Sequence, residues 1–360
     1  MKKHNYAVIL AGGIGSRFWP LSKSRYPKQF IDFLGTGKSL MQLTYERFIQ
    51  FFPAEKIFII TNEAYKDLVK LHIPQVKEEN LLLEPARKNT APCIAYAGHK
   101  ILSLDTNSNV VIAPSDHVIL NEAKYREAIE KGLKVVEKKD LIITLGIPPT
   151  RPDTGYGYIQ YMDEKGEDGV FKVKTFVEKP PFDIATTFFQ SGDFLWNAGI
   201  FISNVRTLLN AFHHFLPEVN DNFKEGKKVY NTPAEKEFVS NAFALCPNVS
   251  IDTGIMEKAK NVCVIPAQFG WSDLGTWASL YESHHKDYLG NAVSGKNVMI
   301  YDSNNSMVMV PDQKLVVLQG LEDYIVVDTE EVLLICRKDK EQEIKQIVAD
   351  IRRKKGDRFL

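Results

Sequence analysis

No stretch of this 360-residue chain approaches the roughly 18 consecutive apolar residues that a membrane helix needs, so no membrane partner is expected. Cysteine is scarce. Cys93, Cys246, Cys263 and Cys336 stand far apart with no CxxC pair, which argues against a zinc site or a disulfide framework and fits a reducing cytoplasm. Net charge is absent as well, with 45 Lys and Arg against 45 Asp and Glu. The chain opens Met1-Lys2-Lys3 like a secretory leader. Its first apolar stretch is cut short by Gly12-Gly13 and Arg17, so a signal peptide is not expected. What remains is ordinary soluble composition, 44% hydrophobic and 25% charged, in a chain long enough for two domains.

One further absence is local. The first 31 residues contain six Lys or Arg and no acid. That basic stretch surrounds a glycine turn, Leu10-Ala11-Gly12-Gly13-Ile14-Gly15-Ser16-Arg17, followed by Pro27-Lys28-Gln29-Phe30. The apolar run Ala7 to Leu10 leads into it as a buried strand. Glycines let backbone N–H groups close on an anion, while Arg17 and Lys28 add mobile cationic donors. The combination reads as a polyphosphate site rather than a bare strand-to-helix turn. Two familiar loops are excluded. A dinucleotide fingerprint starting at Gly13 needs glycine at 18, where Phe18 stands, and a P-loop ending at Gly37-Lys38-Ser39 needs glycine where Asp32 stands. Ser39 is instead a cap for the helical pattern Leu40 to Phe52.

Up to about residue 145, strand candidates alternate with helical patterns, which predicts βαβ units in a mainly parallel, doubly wound α/β sheet. The strands are Ala7–Leu10, Ile57–Ile60, Asn80–Leu83, Val110–Ala113 and Leu141–Leu145. The helices are Leu40–Phe52, Glu63–Lys70, Thr90–Leu104 and Glu122–Lys138, the last capped by Asn121. Ligand loops are then expected at the strand C-terminal ends. The texture is mixed from 150 to 285, with strands at Tyr156–Tyr161, Phe171–Glu178 and Leu195–Ile202 and helices near Val205–Phe215 and Ala234–Cys246. Strands begin near Val298, Met307, Leu315, Tyr324 and Val332, a regular spacing that predicts a small all-β module. A charged helix from Lys338 to Lys355 follows, with Ile344, Ile347, Val348 and Ile351 on one face. Its basic end reads as solvated rather than as a nucleic-acid tail. Domains are expected at 1–287 and 288–360.

Eight segments together resemble the sugar nucleotidyltransferases, most closely the mannose-1-phosphate guanylyltransferases. They are LAGGIGSRFWPLSKSRYPKQF (10–30), EPARKNTAP (84–92), PSDH (114–117), TGYGYI (154–159), FVEKP (176–180), WNAGIF (196–201), SIDTGIME (250–257) and GWSDLGTW (270–277). The resemblance implies a Rossmann-like, GT-A-like nucleotidyltransferase domain followed by a short left-handed β-helix, too small to stand alone and packed on the catalytic domain or a second subunit. It implies GTP and mannose 1-phosphate as substrates, Mg²⁺ as cofactor, a homodimer and no nucleic-acid partner. Longer relatives carry a phosphomannose isomerase domain after this region; this sequence stops at Leu360, so isomerase activity is not expected of it.

Residue by residue, the resemblance gives Arg17 and Lys28 to the triphosphate as catalytic cations. Leu10, Ala11, Gly12, Gly13, Gly15, Ser16 and Ser115 go to the nucleotide, and the loop of Glu84, Pro85, Asn89 and Thr90 to the base. Glu178 and Asn197 are hydroxyl partners, Lys179 a sugar-phosphate partner, Gly157 a close backbone approach, and Asp252 completes that pocket. Asp116 follows the strand Val110–Ala113 directly, and Asp273 is the second carboxylate. One or two carboxylates with substrate phosphates is how proteins hold Mg²⁺. Glucose 1-phosphate with UTP or ATP, and a non-catalytic nucleotide-sugar sensor, stay open as other readings; an NAD-dependent oxidoreductase is disfavoured by Phe18.

Overall fold

The computed structural model describes residues 4–162, 166 and 169–360; Met1-Lys2-Lys3 of the basic stretch lies outside the described residues. The chain forms two compact units that do not follow its order. Residues up to Gly12, Thr44–Ser115 and Ile119–Trp271 make one, and Gly13–Leu43, Asp116–Val118 and Ser272–Leu360 the other.

The first unit is built on a nine-stranded sheet. Its strands are β1 (Asn5–Leu10), β2 (Ile57–Asn62), β3 (Leu81–Glu84), β4 (Asn109–Pro114), β6 (Ile142–Ile147), β7 (Tyr158–Tyr161), β8 (Phe171–Val177), β9 (Phe194–Asn204) and β10 (Val262–Pro266). Two-residue strands stand outside it in the chain, β5 (Val118–Ile119) after β4 and β11 (Trp271–Ser272) after β10. The spatial order of the sheet is β3-β2-β1-β4-β9-β6-β10-β8-β7. The run β3-β2-β1-β4 is parallel, as is β6 with β10. The long β9 lies antiparallel between β4 and β6, and β7 and β8 are antiparallel to each other. The alternating part of the sequence therefore gives the parallel half, and the mixed part gives the antiparallel insertions.

Strand β1 is buried from Asn5 to Ile9 and apolar from Ala7 onward because both faces are covered. Tyr6 and Val8 join Phe58, Ile60 and Ile112 in a core shared with α3 (Thr90–Leu104), α6 (Val205–Phe215) and α8 (Glu235–Leu245). The short helices α2 (Lys66–His72) and α5 (Phe182–Ser191) complete the connections after β2 and β8. Helix α4 (Glu122–Val136) packs on β4, β6 and β9. It approaches β9 closely enough that a Cβ at Gly132 would lie 2.5 Å from Ile202 Cδ1. Asn121 caps α4 through Lys124 N–H at 3.0 Å. Helix α1 (Leu40–Ile49) ends before the expected Phe52, since Phe51 and Phe52 turn back to pack on Phe48. Ser39 starts it with a reciprocal pair: its Oγ accepts from Gln42 N–H at 3.3 Å, and Gln42 Oε1 accepts from Ser39 N–H at 2.9 Å.

In the second unit, β12 (Ala292–Ser294), β14 (Met307–Met309) and β16 (Tyr324–Asp328) form one parallel ladder, while β13 (Val298–Tyr301) and β15 (Val316–Gln319) form another. Successive strands alternate between the ladders, so the chain coils, and β17 (Leu333–Arg337) closes the first ladder antiparallel to β16. This small module has a core of its own, Val308, Val310, Leu318 and Val326, and also shares a larger one. Phe18, Trp19, Phe33 and Leu40 from the N-terminal loops join Trp277, Met307, Ile325, Val327 and Ile344 in one apolar cluster. The final helix, α10 (Ile344–Lys355), begins six residues later than the charge pattern predicts; Lys338–Glu343 is a 3₁₀ segment. That segment offers no apolar residue to bury, and its Glu341 Oε2 instead accepts Ala278 N–H at 2.9 Å, capping α9 (Trp277–Ser283).

Candidate active site

Parallel pairing places the ends of β1, β2 and β4 side by side, with Leu10 opposite Ile60 and Pro114. The chain leaving β1 is pinned by its backbone. Ala11 N–H donates to Ile60 carbonyl at 2.8 Å, Thr61 Oγ1 donates to Ala11 carbonyl at 2.8 Å, and Ser115 N–H donates to Leu10 carbonyl at 2.9 Å. Gly12 must lack a side chain, since a Cβ there would lie 2.3 Å from Glu84 Oε1. Glu84, at the end of β3, is buried, and burial raises its pKa against the Cys93 hydrogen bond and Arg87, which lower it. Cys93 Sγ donates to Glu84 Oε2 at 3.2 Å; its thiol is pushed well up by burial and then by Glu84, so it stays a donor. Asn89, at φ 67°, caps α3 through Thr90 N–H, and Thr90 Oγ1 accepts Ile251 N–H at 3.0 Å. Both side chains thus shape the loop itself, with Pro85 half-buried beside them.

The second unit holds the cations. Gly13 is open, and Ser16 is exposed in the 3₁₀ turn Ser16–Phe18. Gly15, at φ +72°, is the tight point: a Cβ there would lie 2.3 Å from Lys28 Cβ. Lys28 N–H donates to Ile14 carbonyl at 3.1 Å, which laces this turn to the 3₁₀ turn Lys28–Phe30. Lys28 Nζ donates to Asp116 Oδ2 at 2.8 Å and also to the Asp273 backbone carbonyl. Burial favours the neutral form of Asp116, but Lys28 and His117 outweigh it and hold the carboxyl below its ordinary range. Asp273 Oδ1 accepts Gly275 N–H at 2.8 Å.

Arg17 is the less neutralised cation. Its Nη1 reaches only Gly275 carbonyl, at 3.5 Å, and its buried Nε has no hydrogen-bond partner among the described residues. Its charge is the first cause lowering the Lys345 amine, with burial second. Two cations in mutual repulsion form a place that an anion would relieve. Gly15→Ala is expected to destabilise by about 1–3 kcal/mol, because the left-handed backbone and the Lys28 contact are both violated. Thermal unfolding reads the shift, and an unchanged midpoint would mean the turn relaxes freely.

A third cluster lies wholly in the first unit. Asn197, on β9, accepts from Thr144 Oγ1 at 2.9 Å and donates from Nδ2 to Asp252 Oδ1 at 2.9 Å. Asn197 N–H donates to Gly157 carbonyl at 2.8 Å, and a Cβ at Gly157 would lie 2.5 Å from Glu178 Oε2. Lys179, at φ 49°, turns back to pair with Glu178. Asp252 opens a π-helical turn, Asp252–Met256, a local irregularity common at functional sites. Burial, then the Glu178 charge, pushes the Asp252 carboxyl up to about 6, against Lys179 and the Asn197 bond. The five residues Gly157, Glu178, Lys179, Asn197 and Asp252 therefore form one cluster.

Lys28 Nζ touches both Asp116 and Asp273, so these two residues border one point. Among the described residues no group of three or more His, Cys, Asp or Glu could hold a metal alone. Two hard oxygen donors that need phosphates to complete the shell are what a shared Mg²⁺ site supplies. Asp116 and Asp273 offer oxygen donors of that type, although Asp273 meets Lys28 through its backbone carbonyl. Sequence reasoning missed Thr144, which orients Asn197; Cys93, which holds Glu84; and Glu257, whose carboxylate accepts Glu178 N–H at 2.9 Å. Glu257 closes the segment SIDTGIME and was within reach of the motif; a threonine inside a buried strand carried no signal.

Comparison with known proteins agrees with this architecture. Residues 6–289 match the family described as Nucleotidyl transferase, and residues 295–351 match the MannoseP isomerase/GMP-like beta-helix domain. The chain is 35% identical over 348 residues to alginate biosynthesis protein AlgA of Pseudomonas aeruginosa, spanning 96% of this chain and 71% of that protein. It is 34% identical over 354 residues to mannose-1-phosphate guanylyltransferase RfbM of Salmonella typhimurium, spanning 96% and 72%. A crystal structure from Thermus thermophilus, named mannose-1-phosphate geranyltransferase, matches with TM-score 0.87 at 28% identity over 97% of this chain and 99% of that one. With most of its length matched by the family and by relatives above 30% identity, the chain belongs to the nucleotidyl transferase family and carries a C-terminal β-helix domain of the MannoseP isomerase/GMP-like type.

Proposed function

We propose that this chain transfers GMP from GTP to mannose 1-phosphate, giving GDP-mannose and pyrophosphate. The supporting observation is the relative RfbM, named for that activity and matched across 96% of this chain. Chemically, a phosphate oxygen of the sugar attacks the α-phosphorus as its bond to the bridging oxygen of pyrophosphate breaks. The attacking monoester has a second pKa near ~6 and is already largely dianionic at neutral pH, so no protein base is required. The protein's task is to gather anions and to stabilise the charge that leaves.

In this reading Arg17 and Lys28 hold the triphosphate and take up the charge of the departing pyrophosphate. Backbone from Leu10 to Ser16, with Ser115, cradles the nucleotide. Glu84, fixed against Gly12, offers an acceptor to the N–H face of guanine, and the loop of Pro85, Asn89 and Thr90 borders the base. Glu178, Asn197 and Asp252 accept from sugar hydroxyls, Gly157 leaves room for the ring, and Lys179 neutralises the sugar phosphate. Asp116 and Asp273 would hold Mg²⁺, which supplies Lewis-acid charge stabilisation on phosphate oxygens. A coupled pyrophosphate-release assay tests the reading across the four nucleoside triphosphates with mannose 1-phosphate and glucose 1-phosphate. Release above the no-sugar control is expected only with GTP and mannose 1-phosphate; a preference for UTP or ATP with glucose 1-phosphate would overturn it. Asp116→Asn is expected to raise the Mg²⁺ concentration for half-maximal rate by about tenfold or more. An unchanged Mg²⁺ titration would remove Asp116 from the metal.

Among the described residues no helix is long and apolar enough to cross a membrane. The proposed placement is the cytoplasm, and its support is that Cys93, Cys246, Cys263 and Cys336 are all free thiols. A homodimer is the proposed assembly. Its support is an apolar strip on the β13–β15 ladder, where Met299, Tyr301 and Val317 are 46%, 47% and 56% exposed. Light scattering on Val317→Lys is expected to show a monomer.

A further inference from the structure

A cavity of about 510 Å³ opens in the first unit where α3 and α6 meet α7 (Pro217–Lys224). Its floor is apolar: Leu102, Leu209 and the ring of Tyr230 line it. Its rim is cationic. Arg206, Lys224 and Lys227 line the opening, all exposed, and none has a carboxylate within ion-pair range among the described residues. No Asp or Glu lines the cavity. Asp221, on α7 with Lys224, accepts Asn220 Nδ2–H at 2.9 Å. His99 sits deeper, with Nε2 and Asn220 Oδ1 3.1 Å apart, and burial, followed by Lys224, lowers its pKa against Asn220 and Asp221. A neutral imidazole and an amide thus provide directional hydrogen bonding between the apolar floor and the charged rim.

Surface lysines are usually solvated and mean little. These differ because three like charges ring a concavity whose floor is apolar and whose volume is that of a small-ligand pocket. An inorganic anion would satisfy the rim and leave the floor wet; an apolar molecule would leave the cations uncompensated. A ligand that matches both carries a flat or apolar body and a phosphate tail. We propose that this cavity binds a nucleoside phosphate, the nucleoside against Leu102, Leu209 and Tyr230 and the phosphates against Arg206, Lys224 and Lys227. The position is not that of the proposed catalytic loop. Helix α3 starts at Thr90, at the end of the loop of Glu84 to Asn89, whereas His99 is nine residues further on, about 14 Å along the helix. The proposal does not rest on the assigned reaction.

Acylation of lysines on the full-length chain, read peptide by peptide by mass spectrometry with and without GDP, tests it. GDP is expected to protect Lys224 and Lys227 but not Lys236, which is 81% exposed outside the cavity. Pyrophosphate release by the same preparation reports the catalytic loop separately, so either site can fail alone. Inorganic pyrophosphate is the second probe. It is expected to protect Lys224 and Lys227 at least about tenfold less effectively, since it cannot use the floor. The variant R206A/K224A is expected to raise the GDP concentration for half-protection of Lys227 about tenfold while pyrophosphate release is unchanged. Absence of protection at Lys224 and Lys227 under saturating GDP overturns the proposal. Equal protection by pyrophosphate overturns the nucleoside contact.

Discussion

Lys28→Ala is expected to lower turnover by about 10²- to 10³-fold, the loss measured when one preorganised donor to developing anionic charge is removed. The Lys28 side chain is 6% exposed; its ammonium donates to Asp116 Oδ2 and the Asp273 carbonyl, while its Cβ lies against the Gly15 turn. Such a charge needs no reorganisation when pyrophosphate begins to leave, which is the source of the catalytic value proposed for it. Removal also strands the Asp116 carboxylate, which is 28% exposed and keeps water on one side, so the effect on folding is the smaller one. A second variant separates the two effects. Lys28→Ala with Asp116→Asn removes the stranded charge and is expected to recover the unfolding midpoint but not turnover. Lys28→Arg keeps the charge, yet a planar guanidinium does not reproduce the two bonds that Nζ makes to Asp116 Oδ2 and the Asp273 carbonyl, so only partial rescue is expected. Full rescue by Arg would mean that net charge, not the placement of Nζ, carries the effect.

The parts of this arrangement that were legible in the sequence share one property: they are local. The glycine turn with Arg17, the strand β1 leading into it, the helix α3 with its cap at Asn89 and the helix α6 all follow from residues close together in the chain. Helices α3 and α6 begin and end where the apolar spacing places them. What pattern could not give is pairing at a distance. Nothing in the period of Phe194–Asn204 says that β9 inserts antiparallel between β4 and β6, because a strand buried on both faces reads the same in either direction. Nor does local pattern place Phe18 and Trp19 in one core with Met307 and Ile325. The regular spacing of the C-terminal strands did signal a β module, but the pairing of β12, β13 and β14 each with the next strand but one is a long-range fact. The clustering of Gly157, Glu178, Asn197 and Asp252 came from resemblance; the chain brings them together from four segments.

That cluster carries the other large expected effect, a gain in stability accompanied by a loss of activity. The Asp252 carboxyl rises from 3.8 to about 6 in the folded chain. Below pH 4 it is protonated folded and unfolded, and contributes nothing. Between about pH 4 and pH 6 the unfolded chain releases its proton first, so stability falls as pH rises. Above pH 6 both states are ionised and the cost is constant. A shift of about two units corresponds to roughly 3 kcal/mol, and coupling to Glu178 reduces what a single substitution recovers. Asp252→Asn keeps the shape and the oxygen that accepts Asn197 Nδ2–H while removing the charge. Its expected stability gain is about 1–3 kcal/mol at pH 8 and none below pH 4, read by denaturant unfolding across that range. Turnover is expected to fall about tenfold or more, because the carboxylate proposed to accept from a sugar hydroxyl is replaced by a weaker acceptor. If stability kept the same pH slope in the variant, the carboxyl would not be held high by its surroundings. If stability rose with turnover intact, Asp252 would be a structural burden and not a contact to substrate. The predicted combination, a firmer fold and a slower enzyme, is what a site produces when two acids are kept closer than folding alone would favour.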